Sequence, residues 1–317
     1  MDSRDSIKRL KGPIGIFGAG GFIGINLLQA IFTVRSDVIG FSRNPKQSWR
    51  INSCKIPRSH FVICNLLDNK SIQSVIKKHK PQTIFNLGAY GAYPKQKDIE
   101  KIYQTNFLST VYLIEVLKNH GFSVYIHAGS QSEYGLNATA PHERDELIPN
   151  SHYAISKTAT HYLLKYYGRV EKLPVAHLRL YSVYGPWEEP DRLIPVLLQK
   201  AKEKKLPHFV DAEISRDFIF VEDVLEAMIV VARRLKPSYF GDTFNIASGK
   251  KTTMKELATL SKKIFDIDQN PIFDTMKQRN WDVKNWYGSA AKMEKVFSWK
   301  AKTKLKDGLL KTYEKIS

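Results

Sequence analysis

The stretch Ile14-Gly15-Ile16-Phe17-Gly18-Ala19-Gly20-Gly21-Phe22-Ile23-Gly24-Ile25-Asn26-Leu27-Leu28-Gln29-Ala30 decides the fold. Its first residues, Ile14 to Phe17, read as a short buried strand, and the apolar spacing from Ile25 onward reads as a helix. Gly18, Gly21 and Gly24 lie between them. In that context glycines allow a tight turn and let a pyrophosphate approach the positive end of a helix, although small residues there also serve helix–strand packing.

The same rhythm repeats outward. Val38 to Phe41 and Phe61 to Cys64 are short apolar runs ending in polar turns; Ser71 to His79 reads as a helix, Thr83 to Leu87 as a buried strand, Asp98 to Asn119 as one long helix and Ser123 to Ala128 as another strand. Short apolar strands alternating with helices predict an α/β, Rossmann-type doubly wound parallel sheet. After Tyr181 the texture changes at Gly185-Pro186-Trp187-Glu188-Glu189-Pro190, a breaker. We therefore expect a dinucleotide-binding domain over 1–181 and a smaller, mostly C-terminal substrate-binding domain over 182–317, with 215–240 returning to the first as a strand and helix.

Composition excludes other classes. The chain has 317 residues, 43% of them hydrophobic, and a near-average make-up that argues against disorder or low complexity. Cys54 and Cys64 form neither a disulfide framework nor a metal-ligand spacing, so no metal is expected. The N-terminus lacks an apolar signal core, and no apolar run approaches the about 18 residues that span a bilayer, which predicts a cytoplasmic protein with no membrane partner. The formal charge of +18 is the one extreme value. It suits either a nucleic-acid footprint or attraction of an anionic small molecule. The basic residues are scattered and carry no nucleic-acid-binding motif, so no nucleic-acid partner is expected.

Three further groups carry chemistry. At the end of the second strand a carboxylate would bind the adenosine ribose of NAD; Ser42 and Arg43 stand there instead, which favours NADP, an exposed polar loop being the alternative. Tyr153 and Lys157 lie four residues apart, on one face of a helix. A lysine cation there would stabilise the phenolate and draw the phenol towards the range of a general acid or base. Ser130, following the strand at 124–128, can share a substrate oxygen with Tyr153.

GAGGFIG, Asn106 within QTNFLSTVYLIEVL, HAGSQSEYG, YAISK, RLYSVYGP and RDFIFVEDV together resemble the extended short-chain dehydrogenase/reductase family, the NAD(P)-dependent nucleotide-sugar epimerase, dehydratase and 4-ketoreductase group. The late segment QRNWDVKNWYGSAAKMEKVFSWK is similar to that family's C-terminal pattern, with Ser298-Trp299 where Gly-Trp is usual. The resemblance covers nearly the whole chain. It implies that Tyr153 is the acid/base, that Lys157 lowers its pKa and holds the nicotinamide ribose, and that Ser130 hydrogen-bonds the reacting oxygen. It places Gly18, Gly21, Phe22, Ile23 and Gly24 around the cofactor, together with Leu66, Leu87 and Ala89. Asn65 replaces the usual Asp beside the adenine, and Asn106 matches a structural asparagine counted with the cofactor site. Arg216 and Arg279 match arginines that grip a substrate diphosphate, with ion pairing to Asp217 and Asp282 as the alternative; Ser182 takes the place of a substrate-binding Asn.

Departures from the pattern bear on the reaction. Gln131 and Ser132 stand where dehydratases carry Asp-Glu, which disfavours water elimination unless Glu133 moves into register. Asn86 and Gly88 depart from the usual turn, and Tyr90, Tyr93 and Trp187 either shape a sugar pocket or pack between domains. The resemblance thus predicts hydride transfer, using NADP or NAD, at C4 of a nucleoside-diphosphate sugar by a 4-keto-sugar reductase or epimerase. It also implies a homodimer through the helices near 98–119 and 153–167. The alternatives are a dehydrogenase of a non-nucleotide ketone or alcohol and a non-catalytic cofactor-sensing scaffold.

Overall fold

Ile14, Ile16 and Phe17 are wholly shielded from solvent, and so are Ile84 and Phe85 in the strand alongside. Burial on both faces is what a run without alternation requires, and it places these strands at the centre of a covered sheet. The computed structural model describes residues 3–274 and 283–316. Its strands are β1 (Ile14–Phe17), β2 (Val38–Ser42), β3 (Phe61–Ile63), β4 (Thr83–Asn86), β5 (Val124–Ser130), β6 (Val175–Leu180), β7 (Ser182–Tyr184), β8 (Ser215–Arg216), β9 (Phe218–Phe220), β10 (Thr243–Ile246), β11 (Thr252–Thr253) and β12 (Asn285–Trp286).

Seven of them form one sheet in the order β10-β6-β5-β4-β1-β2-β3, with every neighbouring pair parallel. Helices Phe22–Phe32 and Val221–Arg234 cover one face; Asn69–His79, Ser109–His120 and His152–Arg169 cover the other. The chain order reverses between β1 and β4, so a crevice opens at the carboxyl ends of these strands, the place where doubly wound sheets bind ligands.

Two elements differ from their sequence patterns. The long helix expected over 98–119 is interrupted by a π-helical turn at Gln104–Leu108, flanked by α-helix at Ile99–Tyr103 and Ser109–His120. At that turn the carbonyl of Asn106 accepts from Thr160 Oγ1 at 2.8 Å, a bond to the neighbouring helix. The return of 215–240 to the main sheet is also only partial. The helix Val221–Arg234 does cover the sheet, but β9 pairs with β7, and the strand that joins the main sheet is β10, beside β6 and beyond residue 240. β8 sits between β11 and β12 in a three-stranded sheet, alongside the packed helices Leu193–Lys202, Met254–Phe265 and Leu305–Ile316. No helix among the described residues is long and apolar enough to cross a membrane.

Candidate active site

The glycine turn forms the cofactor end of the crevice. Gly18 has φ +80°, and the amides of Gly18 and Ala19 both donate to the Phe41 carbonyl, which pins the turn to β2. A Cβ at Gly24 would fall 2.3 Å from the Gly18 carbonyl oxygen, so the helix starting at Phe22 can lie this close to β1 only with glycine there. Gly21 caps that helix without a side-chain bond to its first amides. Those donors, at the positive end of an eleven-residue helix, fit a dinucleotide's pyrophosphate. Gly18, Gly21, Phe22, Ile23 and Gly24 all line a cleft of about 690 Å³, and Leu87 and Ala89 line it from the end of β4.

The catalytic candidates meet in the same cleft. Ser130 ends β5, and Tyr153 and Lys157 project from the first turns of His152–Arg169, a helix capped by the Ser151 side chain. Lys157 is 1% exposed; its Nζ donates to the Ala128 carbonyl at 2.9 Å and lies 6.0 Å from the centre of the Tyr153 ring. Burial pulls the ammonium down to about 8, with the Glu133 charge opposing. Burial likewise pushes the Tyr153 phenol up to about 12, and the group that chiefly opposes this is Ser130, by hydrogen bonding. This direction is opposite to the lowering expected from Lys157: desolvation outweighs the polar neighbours of the phenol.

Glu133 takes no part in the cleft. It is fully buried; its Oε1 accepts from the Ser130 amide at 2.8 Å and lies 2.8 Å from His177 Nε2, and its Oε2 accepts from Arg179 Nε at 2.7 Å. Although burial opposes ionisation, the neighbouring His177 and Arg179 hold its carboxyl down at about 2. Its carboxylate orients the end of β5 that carries Ser130. Gln131 and Ser132 line the cleft instead, with Gln131 Nε2 donating to Ser182 Oγ at 3.4 Å.

Other sequence candidates separate into cleft and support. Ser182 and Arg216 line the cleft. Arg216 donates to the carbonyls of Ser215 and Val283 at 2.8 and 3.2 Å and stacks 5.3 Å from Trp286. The carboxylate of Asp217 accepts from Ser248 and Gly249, so it anchors a loop. Arg279 and Asp282 lie outside the described residues. Asn106 is fully buried and away from the cleft wall: its side chain bonds both backbone groups of Tyr90 and, at 2.9 Å, Ser156 Oγ. It fixes the loop that carries Tyr93. Ser42 lies beside Gly20, where a Cβ would come 2.9 Å from its hydroxyl, and Arg43 is exposed just beyond. Asn65 accepts from the Leu67 amide, and Leu66 fills the space left by Gly88, where a Cβ would meet its side chain at 2.4 Å. Neither lines the cleft. Asn86 supports the same turn by accepting from the Gly88 amide and donating to the Tyr125 hydroxyl at 2.7 Å.

Of the three aromatics, Tyr93 lines the cleft while Trp187 packs on Trp49, ring centres 5.8 Å apart; Tyr90 takes Lys101 on its ring face. Glu188 and Arg192 are among the cleft residues that carried no sequence expectation. The only signal for them was the Gly-Pro breaker, whose composition says that the chain turns but not which side chain the turn directs inward. Among the described residues no cluster of three or more His, Cys, Asp or Glu could hold a metal ion.

A profile of the NAD dependent epimerase/dehydratase family matches residues 14–247. The UDP-glucose 4-epimerase of Mycolicibacterium smegmatis is 26% identical over 310 residues, 94% of this chain and 96% of that one. The GDP-6-deoxy-D-mannose reductase of Pseudomonas aeruginosa is 29% identical over 243 residues, 72% of this chain and 78% of that one. Among solved structures, the dTDP-glucose 4,6-dehydratase of Bacillus anthracis in complex with NAD superimposes with a TM-score of 0.82 at 26% identity, covering 96% of each chain. Fold and cleft define a Rossmann-type nucleotide-dependent protein. The chain belongs to the NAD-dependent epimerase/dehydratase family.

Proposed function

We propose that the chain catalyses NAD(P)(H)-dependent hydride transfer on a nucleoside-diphosphate sugar, at C4, as a 4-keto-sugar reductase or an epimerase. The observation that carries this reading is the convergence of Ser130, Tyr153 and Lys157 in one cleft with the glycine-rich helix end and Arg216. The relatives named above act, by their names, on nucleotide sugars, and a guanidinium suits phosphate geometry. Arg216 is assigned to the diphosphate, with Arg279 as its proposed companion.

A bound nicotinamide dinucleotide supplies the hydride acceptor or donor. Tyr153 holds the proton that moves at the sugar oxygen, as acid in reduction and as base in oxidation, and Ser130 orients that oxygen. Lys157 holds its charge beside the phenol and is assigned to the cofactor ribose. Water elimination is disfavoured because Gln131 and Ser132 offer no carboxyl and Glu133 faces the core. Ser42 and Arg43 favour NADP over NAD, since no carboxylate ends β2 to receive the ribose hydroxyls.

Tyr153→Phe tests the assignment. Turnover of the best nucleotide sugar from a panel of UDP, dTDP, GDP and CDP hexoses should drop about a hundredfold or more while cofactor binding persists. Unchanged turnover would remove Tyr153 from the mechanism. A homodimer is the proposed assembly, on the strength of exposed apolar residues on the helices that the family pattern singles out.

A further inference from the structure

Glu188 is held in the cleft by a clamp. In the turn Gly185-Pro186-Trp187-Glu188, Asn26 Nδ2 from the cofactor-side helix donates to the Pro186 carbonyl at 2.8 Å. Arg50 Nε donates to the Trp187 carbonyl and its Nη2 to Glu189, both at 2.6 Å. Trp187 itself adopts φ +70°, a left-handed conformation that costs free energy for a bulky residue and persists only where its surroundings enforce it. The result is that Glu188 turns inward, 9% exposed and lining the cleft, while Pro190 reaches the surface.

The carboxyl placed there is incompletely bonded. Its Oε1 lies 3.7 Å from Arg192 Nε, too far for a hydrogen bond, and its buried Oε2 has no hydrogen-bond partner among the described residues. An open buried carboxyl oxygen is costly, and a purely structural role gives no reason to keep it; in a ligand cleft the missing partner is the ligand.

We propose that Glu188 determines sugar specificity, its carboxyl hydrogen-bonding the hydroxyls of the hexose. This rests on the reading that the substrate is a nucleotide sugar. Position supports it: Arg192 stacks 5.7 Å from the Tyr93 ring, and both act electrostatically on Tyr153, so Glu188 borders the space that the phenol faces. The charged and titratable groups around it are Arg192, Arg50 and Tyr93, with Glu189 paired to Arg50 and Lys95. Burial pushes Glu188 up to about 8 against the pull of Arg192 and Arg50. At neutral pH it is therefore a neutral carboxyl that both donates and accepts, as a glutamine amide does.

The experiment compares the wild type, Glu188→Gln and Glu188→Ala, saturated with NAD+ or NADP+, by calorimetric titration. The ligands are UDP, dTDP, GDP and CDP, each beside its hexose ester: UDP-glucose, dTDP-glucose, GDP-mannose and CDP-glucose. The readout is the factor by which the hexose improves on the bare diphosphate. We expect Glu188→Ala to reduce that factor about tenfold with diphosphate affinity held within about twofold, and Glu188→Gln to retain most of it. Between pH 7 and 9 the factor should change differently in the wild type and in Glu188→Gln, because the Lys157 titration is common to both and that of Glu188 is present only in the wild type. Equal losses for diphosphate and ester, or a factor indifferent to residue 188, overturn the proposal alone. Failure of all four diphosphates to bind the wild type overturns the nucleotide-sugar reading and this proposal with it.

Discussion

At the scale of single residues, backbone conformation explains both a match and a departure. Ser298 closes the helix Ala291–Phe297 with φ +53° and ψ +38°, and its amide reaches back to Glu294. A left-handed helix end is the position at which glycine carries the least penalty, which accounts physically for the usual Gly-Trp at this point and for the strain of a serine in its place. Trp299, the residue after it, is 3% exposed, so the turn feeds a large side chain into the core. Ser298→Gly should accordingly stabilise the fold by about 1 kcal/mol, even though glycine loses more entropy on folding. A urea unfolding midpoint that stays put or falls would show that the serine conformation is not strained.

At the scale of elements, β5 and β6 bring together His127, His177, Glu133 and Arg179 beneath the catalytic residues, and the adjoining helix adds His161. His127 and His177 stack with ring centres 5.4 Å apart. Burial depresses all three histidines, His161 to about 3 and His127 well below its ordinary range. The unfolded chain protonates them near pH 6.5 and the folded chain resists, so the unfolded state binds more protons and stability falls as pH drops below about 6.5. Each histidine that stays neutral in the fold removes about 1.4 kcal/mol per pH unit below that point. Glu133, depressed to about 2, adds a loss as pH falls through its unfolded range near 4.5 towards 2. Lys157 acts at the other end: depressed to about 8, it makes stability rise between there and its ordinary value of 10.5. Glu188, raised to about 8, acts in the opposite direction and gains stability as pH falls from there towards 4.5, so the histidine loss shows only below about 6.5. Thermal midpoints should therefore decrease from about pH 6.5 to about 5.5, where three histidines oppose one carboxyl, and a flat profile there would contradict neutral buried histidines. The strands of this cluster were legible from their apolar runs, but its charge pairing was not: the Glu133 carboxylate meets His177 and Arg179 only because β5 and β6 are neighbours, a tertiary fact that spacing does not carry. The π-helical turn was hidden for a similar reason. The apolar spacing through 98–119 is that of one helix, and the break is set by Asn106 bonding to Tyr90, Ser156 and Thr160 from other segments. Likewise β10 escaped notice because Thr243–Ile246 is only four residues long and gains its place by pairing with β6.

At the scale of the molecule, the charge of +18 acquires a partial location. Lys97, Lys157, Arg192 and Arg216 line the cleft, and Glu188, the one carboxyl among its described lining residues, is held neutral by burial up to about pH 8. Such a cleft attracts diphosphates, and the basic surface elsewhere adds to the long-range field. The apolar surface is also localised. Ile99 and Leu108 are 48% and 53% exposed on the segment 99–120, and Ile155, Tyr162 and Tyr166 are 41%, 56% and 50% exposed on His152–Arg169, which packs against it. Positions 155, 162 and 166 repeat at helical spacing and so share one face. Large side chains exposed together on two adjoining helices form the kind of patch that monomers seldom present and that a second copy of the same face covers by two-fold symmetry. Light scattering after gel filtration should give a mass twice the 36.3 kDa of the chain. Ile155→Glu combined with Tyr162→Glu should halve it, because carboxylates brought into the centre of the patch would have to be desolvated without partners. Both substitutions lie on exposed positions of a capped helix, so the monomer should remain folded, with its far-ultraviolet circular dichroism intact. A wild type that elutes as a monomer at tens of micromolar, or a doubly charged variant that remains a dimer, would place the assembly surface elsewhere.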